Sequence, residues 1–511
     1  MPTLVENQMK KILINDNPWQ TRIALTDSDD LLQNIYFSAH AQESLERSFF
    51  KGTVTKVLPG MQTAFVDIGQ PRAGFLHISE IDRELAIDKI SKHSSLIEED
   101  GPRQKRARQR LDISKIFKEG DTILVQVSKE PVYEKGAKLT TCFTLPGRFI
   151  VLMPNIPRVG ISKKIESAEE RMRLKNILKT HLPEGMGAII RTTSEEHDES
   201  ELIKDIKFLV STWQTIQKKL ATAAPQEKLY EDLPLSLQVV RDYLNDDIEA
   251  VITDSKANAD DLIRFIKIIA PEYTQKIKLY QERINIFDYY HIEKQIEQAL
   301  DKKAELKSGG SLIIESTEAM TVIDVNTGRF IGKSNLEETI LKTNLEAAQE
   351  VARQLRLRNI GGLIVIDFID MATAANKQKL FKFFEKNLRE LDKFQSVVLK
   401  ISEFGLVQMT RKRSGKTLQQ QLTENCHVCK GTGFLKSIQT QCYTILRAIK
   451  QKLASHLTGS NLVIQVNPAI FTFVTTTQYN TIFELEKLYR CKLTLESDEE
   501  LRITEYKIEK A

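Results

Sequence analysis

The spacing of apolar and polar positions changes several times along the chain, and each change predicts a different kind of element. KILIN (11–15) and TRIALTD (21–27) are short apolar runs flanking the turn DNPW, and LLQNIYF follows; they predict the first strands of a sheet. From Phe49, FFKGTVTKVLPGMQTAFVDIG and RAGFLHISEI give brief alternating segments broken by Pro59-Gly60, Gly69 and Gly74, the pattern of a small barrel. The pattern resumes with DTILVQVSKE (121–130), and LTTCFTL (139–145) is expected to close it. From Gly147 to about 236, short strands (FIVLMP, GAIIRTT) alternate with helical stretches. Within 200–222 a core-facing stripe runs through Leu202, Ile206, Leu209, Trp213, Ile216 and Leu220. A helix-rich segment continues to about residue 306 and is stopped by Gly309-Gly310. Residues 311–410 read as α/β, TENCHVCKGTGFL as a Gly-punctuated knuckle, and 437–511 as a small mixed domain.

The α/β stretch carries the most chemistry. SLIIESTEAMTVIDVNTGRF predicts a strand pair, and GGLIVIDFIDM a further strand after a helix. Ser334 and Glu337 fit a capping box, and Leu336, Ile340, Leu341, Ala348, Val351, Ala352 and Leu355 keep helical spacing up to Asn359 and Gly361-Gly362. If the two strands are parallel neighbours, Asp324 and Asp367 share the sheet edge where open α/β sheets bind ligands. A buried carboxylate there is costly without a partner, and two together repel unless a divalent cation lies between them. Magnesium takes oxygen ligands, usually one or two carboxylates plus waters and phosphates. Asn326, two residues beyond Asp324, projects to the same face and can orient that carboxylate; Asp370 is a weaker candidate. The alternative is that the two aspartates cap helices or pair with basic residues such as Arg329.

In the barrel, Phe65 and Phe75 fall on one face, and Lys135 lies on a later loop; aromatics and lysines so placed stack bases and hold a phosphate backbone. Either phenylalanine could instead be core. Cys426-His427-Val428-Cys429 has zinc-knuckle spacing, yet a closed site needs four ligands. Two chains could each donate Cys426 and Cys429, His427 could be a third ligand, or the thiols could be idle.

Composition narrows the class. At 511 residues the chain is long enough for three or four domains at roughly 150 residues each. Lys+Arg at 73 against Asp+Glu at 69 leaves a net charge of +4, which excludes bulk neutralisation of nucleic acid but not a local basic groove. The polar stretch 92–110 ends in a run with five basic residues and no acid between Arg103 and Arg110, either a solvated loop or a phosphate-contacting arm. Five cysteines do not make a secreted disulfide framework, and no apolar run approaches a membrane span. The expectation is a soluble protein of a reducing compartment.

Over essentially its whole length the chain resembles the ribonuclease E/G family. The resemblance rests on KGTVTKVLPGMQTAFVDIG, ELKSGGSLIIESTEAMTVIDVNTG, ARQLRLRNIGGLIVIDFIDM and GLVQMTRKRS. The sequence stops soon after its small C-terminal domain, which implies a branch of the family without a long disordered tail. For the fold, the resemblance implies an α/β multidomain protein. A ribonuclease-H-like subdomain (1–43 and 237–299) is split around an S1 barrel of the OB type (44–141) and a 5′-sensor region (142–236). A deoxyribonuclease-I-like catalytic subdomain (300–421), a zinc link (422–436) and a small C-terminal domain (437–511) follow.

For the sites, it implies magnesium on Asp324 and Asp367 with Asn326 orienting the first, and single-stranded RNA clamped by Phe65, Phe75 and Lys135. It places a 5′-monophosphate pocket at Gly147, Val151, Arg191 and Thr192, and a zinc shared by two protomers at Cys426 and Cys429. The implied activity is magnesium-dependent endonucleolytic cleavage of A/U-rich single-stranded RNA, favouring 5′-monophosphorylated ends and leaving 3′-hydroxyl and 5′-phosphate products. The implied roles are ribosomal RNA 5′-end maturation and messenger RNA decay by a homodimer in a bacterial cytoplasm. The rival readings are a non-catalytic S1-domain RNA-binding scaffold and a metal nuclease acting on DNA. Two departures stand out: the 92–110 stretch is poorly matched by the family's barrel, and Lys163 stands where an arginine is common, keeping the charge but not the bidentate fork.

Overall fold

A computed structural model of the chain describes residues 10–40, 44–82, 112–131, 135–327, 336–402, 404–412, 415–455 and 461–511. Arg329, Ser334 and the basic run 103–110 lie outside the described residues. The chain divides into two units, Met1–Gln419 and Gln420–Ala511.

In the first unit, β1 (Lys10–Asn17), β2 (Gln20–Thr26) and β3 (Leu32–Ala39) form a meander. Next come β4 (Phe49–Leu58), β5 (Thr63–Asp67), β6 (Gly74–His77), β7 (Thr122–Lys129) and β8 (Lys138–Thr140). They run in the order β4-β5-β6-β8-β7, and β7 pairs back onto β4 to close a barrel around Phe50, Val54, Val66, Leu76, Val125 and Leu139. Closure uses only the start of LTTCFTL, because Leu145 already belongs to the next sheet.

That sheet has the order β11-β12-β10-β9, from β9 (Leu145–Pro146), β10 (Ile150–Met153), β11 (Val159–Ile161) and β12 (Gly187–Ile190). Between β11 and β12 lies α1 (Ala168–His181), and α2 (Glu199–Thr222) follows. The stripe from Leu202 to Ile216 is buried in their common core, with Leu220 packed at its margin.

After β13 (Lys228–Tyr230), α3 (Leu235–Tyr243), β14 (Ile248–Thr253), α4 (Lys256–Ile269), β15 (Ile277–Leu279) and α5 (Ile292–Leu300), the expected helix-rich segment proves to contain strands. β14 lies parallel to β1, so one sheet, β15-β14-β1-β2-β3, joins the start of the chain to residues 248–279. Val251 faces one apolar core while Ala250 and Ile252 face another. A strand buried on both faces loses its alternation, and a short apolar run of that kind reads as well for a helix.

The last sheet of this unit contains β16 (Lys303–Glu305), β17 (Ser311–Ser316) and β18 (Met320–Asn326), then β19 (Gly362–Asp367) beyond α6 (Leu336–Leu357). It is completed after α7 (Ala374–Leu391) by β20 (Ser396–Val398) and β21 (Leu406–Arg411), in the order β16-β17-β18-β19-β21-β20. Ile323, Val325, Ile364, Ile366, Val407 and Met409 pack with the apolar stripes of α6 and α7. The other face of the sheet is open, with Val322, Leu363 and Val397 exposed. The expected capping box involves Ser334, outside the described residues; among the described ones the Glu337 carboxylate accepts the N–H groups of Ala372 and Thr373 and the amide of Asn376 at the start of α7. α6 ends where Asn359 turns left-handed (φ 50°), with the Ile360 N–H returning to the Leu355 carbonyl.

The second unit pairs β22 (Leu462–Val466) with β23 (Leu493–Ser497) and β24 (Tyr506–Lys510), backed by helices Ile438–Ser455, Pro468–Thr477 and Tyr479–Tyr489. Among the described residues no helix is long and apolar enough to cross a membrane.

Candidate functional site

β18 and β19 are parallel neighbours, and their register sets Asp324 directly beside Asp367. Period-2 alternation sends Ile323, Val325 and Ile366 into the core and Asp324, Asn326 and Asp367 to the open face. Both carboxylates are therefore exposed, contrary to the expectation of buried ones, because the helices cover only the opposite face. The Asn326 amide donates to Asp324 Oδ2 at 2.8 Å. Partial burial and the neighbouring Asp324 and Asp370 push the Asp367 carboxyl above its ordinary range. Among the described residues none of these three aspartates makes a salt bridge. Two adjacent carboxylates without a salt bridge among the described residues, one held by an amide, suit a hard divalent cation that keeps most of its waters.

On the barrel, Phe65 of β5 and Phe75 of β6 are direct cross-strand partners. Both are half-buried and neither belongs to the barrel core, so the pair presents ring surface outward. Lys135 is exposed just before β8. On β8 itself, Lys138 pairs beside Phe75 and is engaged by Glu80.

The loop after β9 brings the next group together. Arg191 Nη1 donates to the Gly147 carbonyl (2.6 Å) and to Asp242 Oδ1 (2.8 Å), and its backbone N–H to the Phe149 carbonyl (2.8 Å). Thr192 follows, exposed, at the start of a single 3₁₀ turn. Val151 lies on β10 opposite the exposed Ile189. Burial opposes ionisation of Asp242, but Arg241 and Arg191 overcome it and hold its carboxyl down at about 2. Lys393, which donates to the Asp242 carbonyl and sits over the Tyr243 ring, is pushed down to about 7 by burial and by Arg191, Lys164 and Arg241. Lys163 is exposed, whereas its neighbour Lys164 turns inward to the carbonyls of Arg389 and Asp392.

In the second unit, the backbone N–H groups of Cys429 and Val428, with the Cys429 side chain, lower the Cys426 thiol. Amide donors around a sulfur favour the thiolate that a metal needs. Lys430 and Gly431 are left-handed and turn the knuckle back on itself (φ 50° and 89°). Cys442 is buried in the core of this unit and Cys491 packs against it. No three His, Cys, Asp or Glu side chains converge as metal ligands among the described residues.

Comparison with known proteins follows the same division of the chain. The Ribonuclease E/G family matches residues 144–414, an S1 RNA binding domain matches 48–141, and the RNase E/G thioredoxin-like domain matches 425–511. The chain is 39% identical over 477 residues to ribonuclease G of Escherichia coli strain K12, covering 93% of this chain and 94% of that one. It is 40% identical over 465 residues to ribonuclease G of Haemophilus influenzae, covering 91% of each. With ribonuclease E of Escherichia coli strain K12 it shares 36% over 448 residues, 87% of this chain but 40% of that one. The chain belongs to the ribonuclease E/G family.

This ribonuclease E/G chain also has residues at its sites that the apolar pattern passes over. Asn344 on α6 donates to and accepts from the backbone of Ile369 (2.8 and 3.0 Å), fixing the loop between Asp367 and Asp370. Asp205 on α2 accepts the backbone N–H groups of Arg148, Phe149 and Ile150 (3.2, 2.9 and 3.1 Å). Their signal in the sequence is a polar residue on the core stripe of an amphipathic helix, where a polar group persists only if hydrogen-bonded.

Proposed function

We propose that the chain is an endoribonuclease of the ribonuclease G type, cutting A/U-rich single-stranded RNA in the presence of magnesium. The carrying observation is the side-by-side register of Asp324 and Asp367, with no salt bridge to either among the described residues and with Asn326 holding the first carboxylate. These residues would hold the ion. Bound there, magnesium supplies a polarised phosphoryl oxygen and a water of lowered pKa, the chemistry of phosphodiester hydrolysis. The products are a 3′-hydroxyl and a 5′-phosphate. Phe65 and Phe75 would stack bases while Lys135 contacts the backbone. Arg191 and Thr192, with Gly147 and Val151 behind them, would receive a 5′-monophosphate through guanidinium and hydroxyl donors.

The sheet that unites residues 10–39 with 248–279 supports reading 1–43 and 237–299 as one ribonuclease-H-like subdomain, and the one-sided sheet of β16–β21 supports the deoxyribonuclease-I-like reading of 300–421. Cys426 and Cys429 are two ligands of a four-ligand zinc site, and a partner chain donating the same pair completes it. On this reading the enzyme is a homodimer of the bacterial cytoplasm that matures ribosomal RNA 5′ ends and turns over messenger RNA. Replacing both cysteines with serine should release zinc and give monomers on sizing; zinc-loaded dimers that persist would place the link elsewhere.

The deciding experiment is cleavage of one end-labelled A/U-rich RNA carrying either a 5′-monophosphate or a 5′-hydroxyl, with magnesium and with a chelator. Magnesium-dependent internal cuts, faster on the monophosphate, are expected. Equal rates would remove the 5′ sensor. Binding without cleavage would turn the reading to an RNA-binding scaffold, and equal cutting of the matching DNA would turn it to a general nuclease.

A further inference from the structure

We propose that Asp205 is a positioning residue of the 5′-end pocket, a buried carboxylate that fixes the 147–150 loop so that Arg191 and Thr192 are presented to a terminal phosphate. The inference rests on the 5′-monophosphate reading of that pocket. Asp205 is 7% exposed and lies on the core face of α2 between Leu202 and Leu209. An acid there is unfavourable unless its charge is met: burial pushes the carboxyl up, and the N–H groups of Arg148, Phe149 and Ile150, with the Arg191 charge, oppose that.

The carbonyls of the same loop face the other way and are taken by the Arg191–Ser194 turn. Gly147 O accepts from Arg191 Nη1 (2.6 Å), Arg148 O from Thr193 Oγ1 (2.7 Å), and Phe149 O from Ser194 Oγ (2.6 Å) and the Arg191 N–H (2.8 Å). The order across the site is therefore carboxylate, peptide N–H, peptide carbonyl, then guanidinium or hydroxyl. Each bond polarises the next in the same sense, so the Asp205 charge strengthens the grip of the loop on Arg191. Gly147 belongs to this arrangement for a steric reason: a Cβ at that position would come within 2.4 Å of Asp205 Oδ2. The glycine lets the carboxylate lie against the backbone. Arg191 Nη1 is committed to Gly147 and Asp242, so the orientation of its remaining N–H groups toward a phosphate depends on that loop staying in place.

The test uses Asp205→Asn in the full chain, with magnesium, and compares cleavage of the 5′-monophosphate and 5′-hydroxyl forms of one RNA. The amide keeps the side chain's size but offers one acceptor oxygen to three N–H donors. The expected result is loss of the monophosphate preference to the level of Arg191→Ala. The 5′-hydroxyl substrate is the internal reference, because any unfolded fraction lowers both rates by the same factor. A preserved ratio, or both rates falling together, overturns the proposal. A wild-type enzyme that itself shows no preference overturns the pocket reading and this inference with it. If Asp205→Asn yields no folded protein, Thr193→Val removes the hydroxyl bond to the Arg148 carbonyl from the opposite side of the loop, and the same outcomes decide.

Discussion

Asp367 and Asp242 are the same residue type in opposite electrostatic states. Asp367 stands among acids, next to Asp324 and Asp370, and its carboxyl is pushed up. Asp242 stands between Arg241 and Arg191, and its carboxyl is held down at about 2. The difference separates a cluster of acids with no salt bridge among the described residues from a carboxylate already neutralised within the fold. The means of placement differ as well. Asp324, Asn326 and Asp367 are set by strand register, which fixes every second side chain on one face. Gly147, Arg191 and Thr192 lie on loops and turns, where only hydrogen bonds from buried polar groups hold the backbone.

If the acid cluster awaits a cation, removing one ligand charge should give the largest effect in the molecule. Asp324→Asn should lower the cleavage rate on the order of 1000-fold or more, since metal stabilisation of the transition state is worth several kcal/mol. Binding of RNA, followed by fluorescence anisotropy, should stay close to wild type because the barrel is untouched. Equal loss of binding and cleavage would end the claim that these aspartates hold the metal. The next effect belongs to the other region. Arg191→Ala should reduce the advantage of 5′-monophosphate over 5′-hydroxyl RNA by about 10-fold, the scale of a charged hydrogen bond at ~1.5 kcal/mol or more. Arg191→Lys should fall between, keeping charge without the fork. An unchanged ratio in the alanine variant removes Arg191 from the sensor.

The same contrast explains what could be seen before the fold was known. Strand alternation is explicit in the sequence, so TVIDVN and LIVID already put Asp324, Asn326 and Asp367 on one face, and the paired phenylalanines of the barrel followed from the same period. Strand β14 was hidden because both of its faces are apolar. The grouping around Arg191 was hidden for another reason. Its members are brought together by side chain–backbone bonds from Asp205 and by ion pairs with Asp242, and neither contact leaves a periodic trace. Arg-Thr after a strand is a common dipeptide, and only the resemblance to the family singled it out. Asp205 and Asn344 did leave a mark, as polar residues within apolar helical stripes, but that mark names a buried hydrogen bond without naming its partner.

Stability against pH sharpens the comparison further. The folded Asp242 carboxyl lies below its ordinary 3.8, at about 2, so its contribution is fully present above pH ~4 and is lost as pH falls toward 2. That difference corresponds to about 2 kcal/mol. Urea melts should therefore show Asp242→Asn less stable than wild type at pH 7, with the gap closing as the pH falls from about 4 to about 2. A gap independent of pH over that window would show that packing, not ionisation, accounts for the loss.

The smallest effect has the opposite sign. The folded Asp367 carboxyl lies above its ordinary value, so its charge is a cost to the fold at neutral pH, relieved as the pH falls through its raised value. The group is exposed, and solvent screening confines that cost to the ~0.5 kcal/mol typical of surface positions. Asp367→Asn, measured in magnesium-free buffer at pH 7, should thus melt slightly above wild type while losing cleavage as fully as Asp324→Asn. Added magnesium should narrow or reverse that difference, because the ion stabilises only the protein that retains both carboxylates. A variant that melts below wild type without magnesium would mean that Asp367 has a structural partner, and the contrast with Asp242 would fail at its acid pair.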